Sequence, residues 1–256
     1  MNILLAQFET IKPNDKLFNK YLRNIIKERE VDIVAIGEGV CNLFFKEYGS
    51  NQVDLLRNNF IEQERYFSSL AHKYKVTFVV PLIECRDNKL YKVILIVGVN
   101  VKSVYEVQQL MHMEHWNEKK FYSNKQTLKI PFIFSHNDFN VSVLTGWEAH
   151  FDDFWIKIKK NNVDVVIIPT QSTFNSNDRW VRLLQMRSFL NTCFVIRVNR
   201  VGSYIENSIE WKFYGNSFIA LPDGNIGDIL GSREGVLVSE INKDFLNSEL
   251  KKWGFR

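Results

Sequence analysis

The chain has 256 residues, 45% of them hydrophobic, with a formal net charge of +4 at pH 7. That is enough apolar material for one large core, so a single domain spanning 1–256 is expected. Basic residues are interleaved with acids rather than blocked, which argues against a nucleic-acid surface, and no apolar stretch approaches the roughly 20 residues of a membrane span.

In chain order, Met1 to Gln7 reads as an opening strand, too short and too soon polar for a signal peptide. Strands are predicted at Ile3 to Phe8, Asp32 to Ile36, Thr77 to Ile83, Tyr91 to Val97, Phe139 to Leu144, Val163 to Ile168, Cys193 to Val198, Ser217 to Leu221 and Gly235 to Ile241. Helices fill the gaps. Asn14 to Glu30 places Leu17, Tyr21, Leu22 and Ile25 on one face, with Asn14 as the cap. Residues 54–75 and 177–191 behave likewise, and Phe151, Phe154, Trp155 and Ile158 recur at helical spacing. Asp87-Asn88 and Pro222-Asp223-Gly224-Asn225 are turn signals joining hairpin strands. Alternating helices and strands imply a layered α/β sandwich. Cys41, Cys85 and Cys193 are isolated and lack metal-ligand spacing, which fits a reducing cytoplasm.

Several segments together resemble the nitrilase, or carbon-nitrogen hydrolase, superfamily over nearly the whole length. The strand ending in Gln7, the Pro13-Asn14-Asp15 turn and Asn19 are similar to the family's start. Val31-Asp32-Ile33-Val34-Ala35-Ile36-Gly37-Glu38 resembles the motif that delivers a glutamate, and Asp87-Asn88-Lys89-Leu90-Tyr91 the hairpin after it. The C-terminal half is closer still. It carries Asn191-Thr192-Cys193-Phe194-Val195-Ile196-Arg197-Val198-Asn199-Arg200-Val201-Gly202, then Phe213-Tyr214-Gly215-Asn216-Ser217-Phe218-Ile219-Ala220-Leu221-Pro222-Asp223-Gly224, then Glu234-Gly235-Val236-Leu237.

The resemblance implies a four-layer α-β-β-α sandwich whose pocket holds a cysteine nucleophile, a glutamate base, a lysine for the oxyanion and a second glutamate. A thiol needs a base to become thiolate, and an oxyanion needs a fixed positive charge. Glu38 matches the base. Tyr105-Glu106-Val107-Gln108-Gln109-Leu110 matches the lysine motif, with Val107 at the lysine position. Asn117-Glu118-Lys119-Lys120-Phe121-Tyr122 matches the second-glutamate segment, giving Glu118. Val143-Leu144-Thr145-Gly146-Trp147-Glu148 matches the nucleophile motif, with Gly146 where cysteine belongs. Both acids are kept, and the nucleophile and the motif lysine are not.

Substitutes were sought nearby. Thr145 points to the opposite strand face; Cys41 shares the Glu38 loop; Cys193 reads as a small buried hydrophobe. Lys92, Lys119 or Lys120 could bring a cation, although lysines in turns are usually solvated. His112, His115, Glu114 and His150 invite a metal, yet no third ligand is fixed, so none is expected. The alternative reading makes these histidines, with Met111, Met113 and Trp116, a lip over the pocket. Trp147 and Glu148 belong to the pocket, Glu148 as a structural acceptor of backbone hydrogen bonds, while Trp155 and Trp180 read as core or interface aromatics.

The expectation is a cofactor-free pseudoenzyme binding a small ligand or a protein partner. The resemblance also implies a homodimer. Two rival readings are acid-base chemistry by Glu38 and Glu118 on a non-amide substrate, and an ordinary amidase with an unrecognised nucleophile. Open space over Gly146 beside a perturbed carboxylate would favour repurposed catalysis. A cavity filled by Val107, Trp147 and methionines would favour a structural or partner-binding role.

Overall fold

A computed structural model describes residues 1–11, 15–48 and 52–256. Five strands open the chain: β1 (Asn2–Gln7), β2 (Ile33–Ile36), β3 (Thr77–Arg86), β4 (Lys89–Val97) and β5 (Lys102–Glu106). A short hairpin, β6 (His112–Met113) with β7 (Trp116–Asn117), leads to β8 (Ile133–His136), β9 (Phe139–Val143), β10 (Val165–Pro169) and β11 (Phe194–Val198). A second hairpin, β12 (Val201–Glu206) with β13 (Ile209–Tyr214), precedes β14 (Phe218–Ala220), β15 (Ile226–Ile229) and β16 (Gly235–Glu240). The helices are α1 (Lys16–Glu28), α2 (Val53–Tyr74), α3 (Asp152–Lys160), α4 (Asn177–Asn191) and α5 (Lys243–Trp253).

Two six-stranded sheets result, ordered β16-β1-β2-β3-β4-β5 and β15-β14-β11-β10-β9-β8. In each, three central strands run parallel and the flanking strands are antiparallel. Strand alternation sorts the side chains. Ile3 and Leu5 of β1 face the other sheet's Val165, Ile167 and Ile196, while Leu4 and Ala6 turn outward to Leu22 and Ile26 of α1 and Phe67 and Leu70 of α2. On the far side, Val166, Ile168 and Val195 pack against Phe154, Trp155 and Ile158 of α3 and Leu184 of α4. The order of layers is therefore helix, sheet, sheet, helix. Strands covered on both faces need continuous apolar runs, which is why so many were legible without alternation.

The differences from expectation lie at edges and ends. The strands β5, β8, β12, β13 and β15 carry mixed polar sequence, and the helix α5, with Leu246, Leu250 and Trp253 at helical spacing, is not among the expected elements. Asp15 caps α1, its side chain accepting from the Phe18 amide at 2.8 Å. Asn14, expected as the cap, and the Pro13 turn beside it lie outside the described residues, as does the side chain of Leu17. Tyr21, expected on the buried face of α1, is 44% exposed. Asp87 and Asn88 both take left-handed backbone, with φ of 49° and 57°, making the tight turn between β3 and β4. No helix among the described residues is long and apolar enough to cross a membrane.

Candidate functional site

The site gathers at the C-terminal ends of the parallel strands, where open α/β sheets present their loops. Glu38 follows β2 and its amide donates to the carbonyl of Thr170, which follows β10, at 3.2 Å. This bond ties the two sheets together at the carboxylate. Gly146 follows β9 and its amide donates to the Pro169 carbonyl at 3.1 Å.

Three charged side chains lie buried here in a row. The ammonium of Lys92, on β4, stands 2.5 Å from Oε1 of Glu38 and 2.7 Å from Oε1 of Glu118. Lys92 and Glu38 are each 7% exposed and Glu118 1%. Glu38 Oε1 also accepts from Gln171 Nε2 at 2.5 Å. Glu118 accepts from Trp116 Nε1 at 3.3 Å and, through Oε2, from the Met111 amide at 3.0 Å. Burial is the largest influence on Glu38 and holds its carboxyl above the usual range, against the pull of Lys92. For Lys92 burial acts downward, but the charges of Glu118 and Glu38 together outweigh it and keep the ammonium protonated.

The expectation of a pocket without a cation is therefore corrected. Val107 fills the motif position, packed among Phe44, Leu110 and Trp116, and the ammonium comes from the next strand instead. Lys92, one of the three candidate cations, lies four residues past the Asp87-Asn88 turn with its side chain buried on β4. Lys119 and Lys120 are exposed. The residue that sequence reasoning missed altogether is Asn124. Its amide group accepts from the Lys92 amide at 2.9 Å and donates to the carbonyls of Lys92 and Val107, clipping the two strand ends together.

Glu148 accepts from the amides of Gln108 at 2.6 Å and Thr145 at 2.8 Å and from the Tyr105 hydroxyl at 2.9 Å. It braces the turn beneath the cavity and does not line it, so its place among the pocket residues is corrected. Burial raises its carboxyl too, opposed by those same bonds. Thr145 turns its hydroxyl to Glu148 at 3.2 Å. Cys41 is buried in the outer cluster under α1 and α2, Cys193 in the cluster under α3 and α4, and burial pushes each thiol up to about 12. Neither lines the cavity.

That cavity, about 630 Å³, opens above Glu38 and Lys92. Its walls include Met111, Met113, His115, Trp116, Trp147, His150, Phe174 and Trp180. Trp180, expected in the core or an interface, is thus a wall residue. Gly146 lies in the floor, but its side-chain volume is taken. A Cβ there would meet Thr170 Cγ2 at 2.9 Å and Trp180 Cη2 at 3.2 Å. No group of three or more His, Cys, Asp or Glu among the described residues could hold a metal ion.

The four-layer sandwich is the fold that the sequence resemblance implies, and the comparisons bear out that family. The family profile for Carbon-nitrogen hydrolase matches residues 10–248, and the chain belongs to that family. Among curated relatives it is 23% identical over 215 residues to a beta-ureidopropionase of Arabidopsis thaliana, covering 76% of this chain and 52% of that one. The chain thus spans about half that relative's length. It is 25% identical over 200 residues to an N-carbamoylputrescine amidase of Solanum tuberosum, covering 73% of this chain and 66% of the other. Among solved structures, a carbon-nitrogen hydrolase from Helicobacter pylori superposes with a TM-score of 0.88 at 18% identity, over 100% of this chain and 94% of its own. An amidase from Nesterenkonia gives 0.77 at 19% identity, over 98% and 95%. These structures share the fold.

Proposed function

We propose that this protein is a non-hydrolytic member of its family that binds a small molecule in the cavity above Glu38 and Lys92. The observation that carries the reading is at position 146. Glycine has no attacking group, and a Cβ there would meet Thr170 Cγ2 at 2.9 Å and Trp180 Cη2 at 3.2 Å, so a side chain would require these neighbours to shift. Covalent amide hydrolysis requires that nucleophile, whereas the pocket and its buried charges need only the fold. The curated relatives named above are a beta-ureidopropionase and an N-carbamoylputrescine amidase, and this chain belongs to the same family.

Binding uses what the charge row leaves over. Two of the three Lys92 protons go to Glu38 and Glu118, so one remains for a ligand. Glu38 Oε2 accepts no hydrogen bond among the described residues and remains as the acceptor. Glu118 is engaged at both oxygens. Acid-base chemistry is a second reading, favoured by the raised carboxyl of Glu38 beside an ammonium. It would use Glu38 to activate water, with Lys92 opposite the developing oxyanion. The test is mass spectrometry of small molecules retained on the purified protein, with ammonia release from a panel of amides and ureido acids. A retained, unmodified ligand without ammonia supports binding, and steady ammonia release overturns it.

Two further parts of the proposal concern setting. Exposed Ile156 on α3 and Met186 and Leu190 on α4 support a homodimer, testable by light scattering. A cytoplasmic location is proposed from the isolated cysteines.

A further inference from the structure

Two aromatic groups line the cavity. In one, Trp147 and His150 have ring centroids 5.3 Å apart, and His150 and Trp180 5.1 Å, the second pair edge to face. In the other, Phe174 and His115 lie 5.9 Å apart.

The first group adjoins Gly146. A Cβ there would stand 3.2 Å from the edge of the Trp180 ring, so glycine at 146 leaves the indole its present place beside the floor. Trp180 is also backed from behind. The guanidinium of Arg197 lies 5.2 Å from its ring centroid, is fully buried, and bonds to the Tyr214 hydroxyl and the Asn216 carbonyl at 3.1 Å each. No carboxylate pairs with it among the described residues. A buried guanidinium without an acid is costly, and here its surroundings are the rings of Trp180, Tyr214 and Phe218. The wall is therefore fixed before a ligand arrives, which reduces the ordering cost of binding.

At the charge row, the remaining Lys92 proton stands beside the unpaired Glu38 Oε2, while Gln171 Oε1 and Trp147 Nε1, on residues lining the same cavity, are without partners among the described residues. A ligand edge carrying adjacent C=O and N–H satisfies the Lys92 and Glu38 pair. Aliphatic amides meet the floor but leave the rings unmatched, while a flat ring meets floor and walls together. Resting on the binding reading above, we infer that the ligand is a planar heteroaromatic lactam, its carbonyl on Lys92, its N–H on Glu38 and its ring against the aromatic lining that includes Trp180 and Phe174.

Isothermal titration calorimetry with carbostyril, a bicyclic aromatic lactam, tests this. Its N-methyl derivative lacks the donor, and propionamide lacks the ring. Carbostyril is expected to bind, with both controls weaker by at least about tenfold, as is usual for losing one good stacking or hydrogen-bonding contact. Trp180→Leu, checked for its melting temperature, is expected to weaken carbostyril by about tenfold and propionamide hardly at all. Propionamide binding as tightly as carbostyril would overturn the ring preference and leave the binding reading standing. If neither binds and nothing is retained on purification, both readings fall.

Discussion

The amide of Val107 donates to the carbonyl of Lys92 at 3.1 Å. The position where the family motif carries its lysine and the lysine that reaches the site are thus neighbours across one strand pairing, clipped by Asn124. The register that pairs Val93 with Glu106 sets residues 92 and 107 opposite each other, so their side chains leave the same face of the sheet. Lys92→Met should leave Glu38 and Glu118 buried without a counter-ion and destabilise the fold by about 3–5 kcal/mol. Adding Val107→Lys should recover a good part of that loss, so the two changes are strongly non-additive in urea denaturation. Simple addition of the two effects would show that only the native position can deliver the charge.

Much of the fold could be read because its central strands are apolar on both faces. Glu38, Glu118 and Gly146 could be read because they sit in contiguous motifs. Lys92 could be named only as one of three candidates, since choosing it depends on where β4 carries it relative to Glu38 and Glu118, a long-range fact that no local pattern carries. The same holds for Trp180: a tryptophan on α4 looks like core until the helix is placed beside Gly146. Asn124 lies in a loop with no periodicity at all.

Gly146→Ala tests whether the nucleophile's space has been filled. The methyl would meet Thr170 Cγ2, whose rotamer is held by the Thr170 hydroxyl donating to Asn199 Oδ1 at 2.9 Å, so the clash cannot simply rotate away. A loss of about 1–3 kcal/mol is expected, as for other overpacked cores. Displacement of Trp180 should shift the tryptophan emission. An unchanged midpoint and spectrum would mean that the space is open.

Thiol accessibility gives an independent check. Cys41 and Cys193 are buried, with thiols pushed up to about 12, whereas Cys85 is half-buried at the end of β3. Iodoacetamide on the native protein at neutral pH should therefore label Cys85 first, with the other two reacting only after denaturation. Rapid labelling of Cys41 would reopen the case for a displaced nucleophile.

Ligand affinity should fall on acidification. Burial holds the Glu38 carboxyl above the ordinary carboxylate range, so protonation removes this acceptor at a pH higher than for an exposed glutamate. The folded state then binds that proton more tightly than the unfolded chain, and ionised Glu38 opposes folding above its raised value rather than supporting it. Calorimetry across mildly acidic to neutral pH should show affinity rising with pH. Glu38→Gln should flatten the profile, and a wild-type profile that is already flat would remove Glu38 from the binding surface.

The proposed absence of the family's hydrolytic chemistry rests on position 146, where glycine has no nucleophile and a Cβ would crowd Thr170 and Trp180. Its most direct test is intact-protein mass spectrometry during incubation with amide, ureido and nitrile compounds, read together with ammonia release. The account predicts an unchanged protein mass and no ammonia above the rate in buffer. An acyl adduct mapped to any residue of the cavity, or ammonia release abolished by Cys41→Ser, would contradict it.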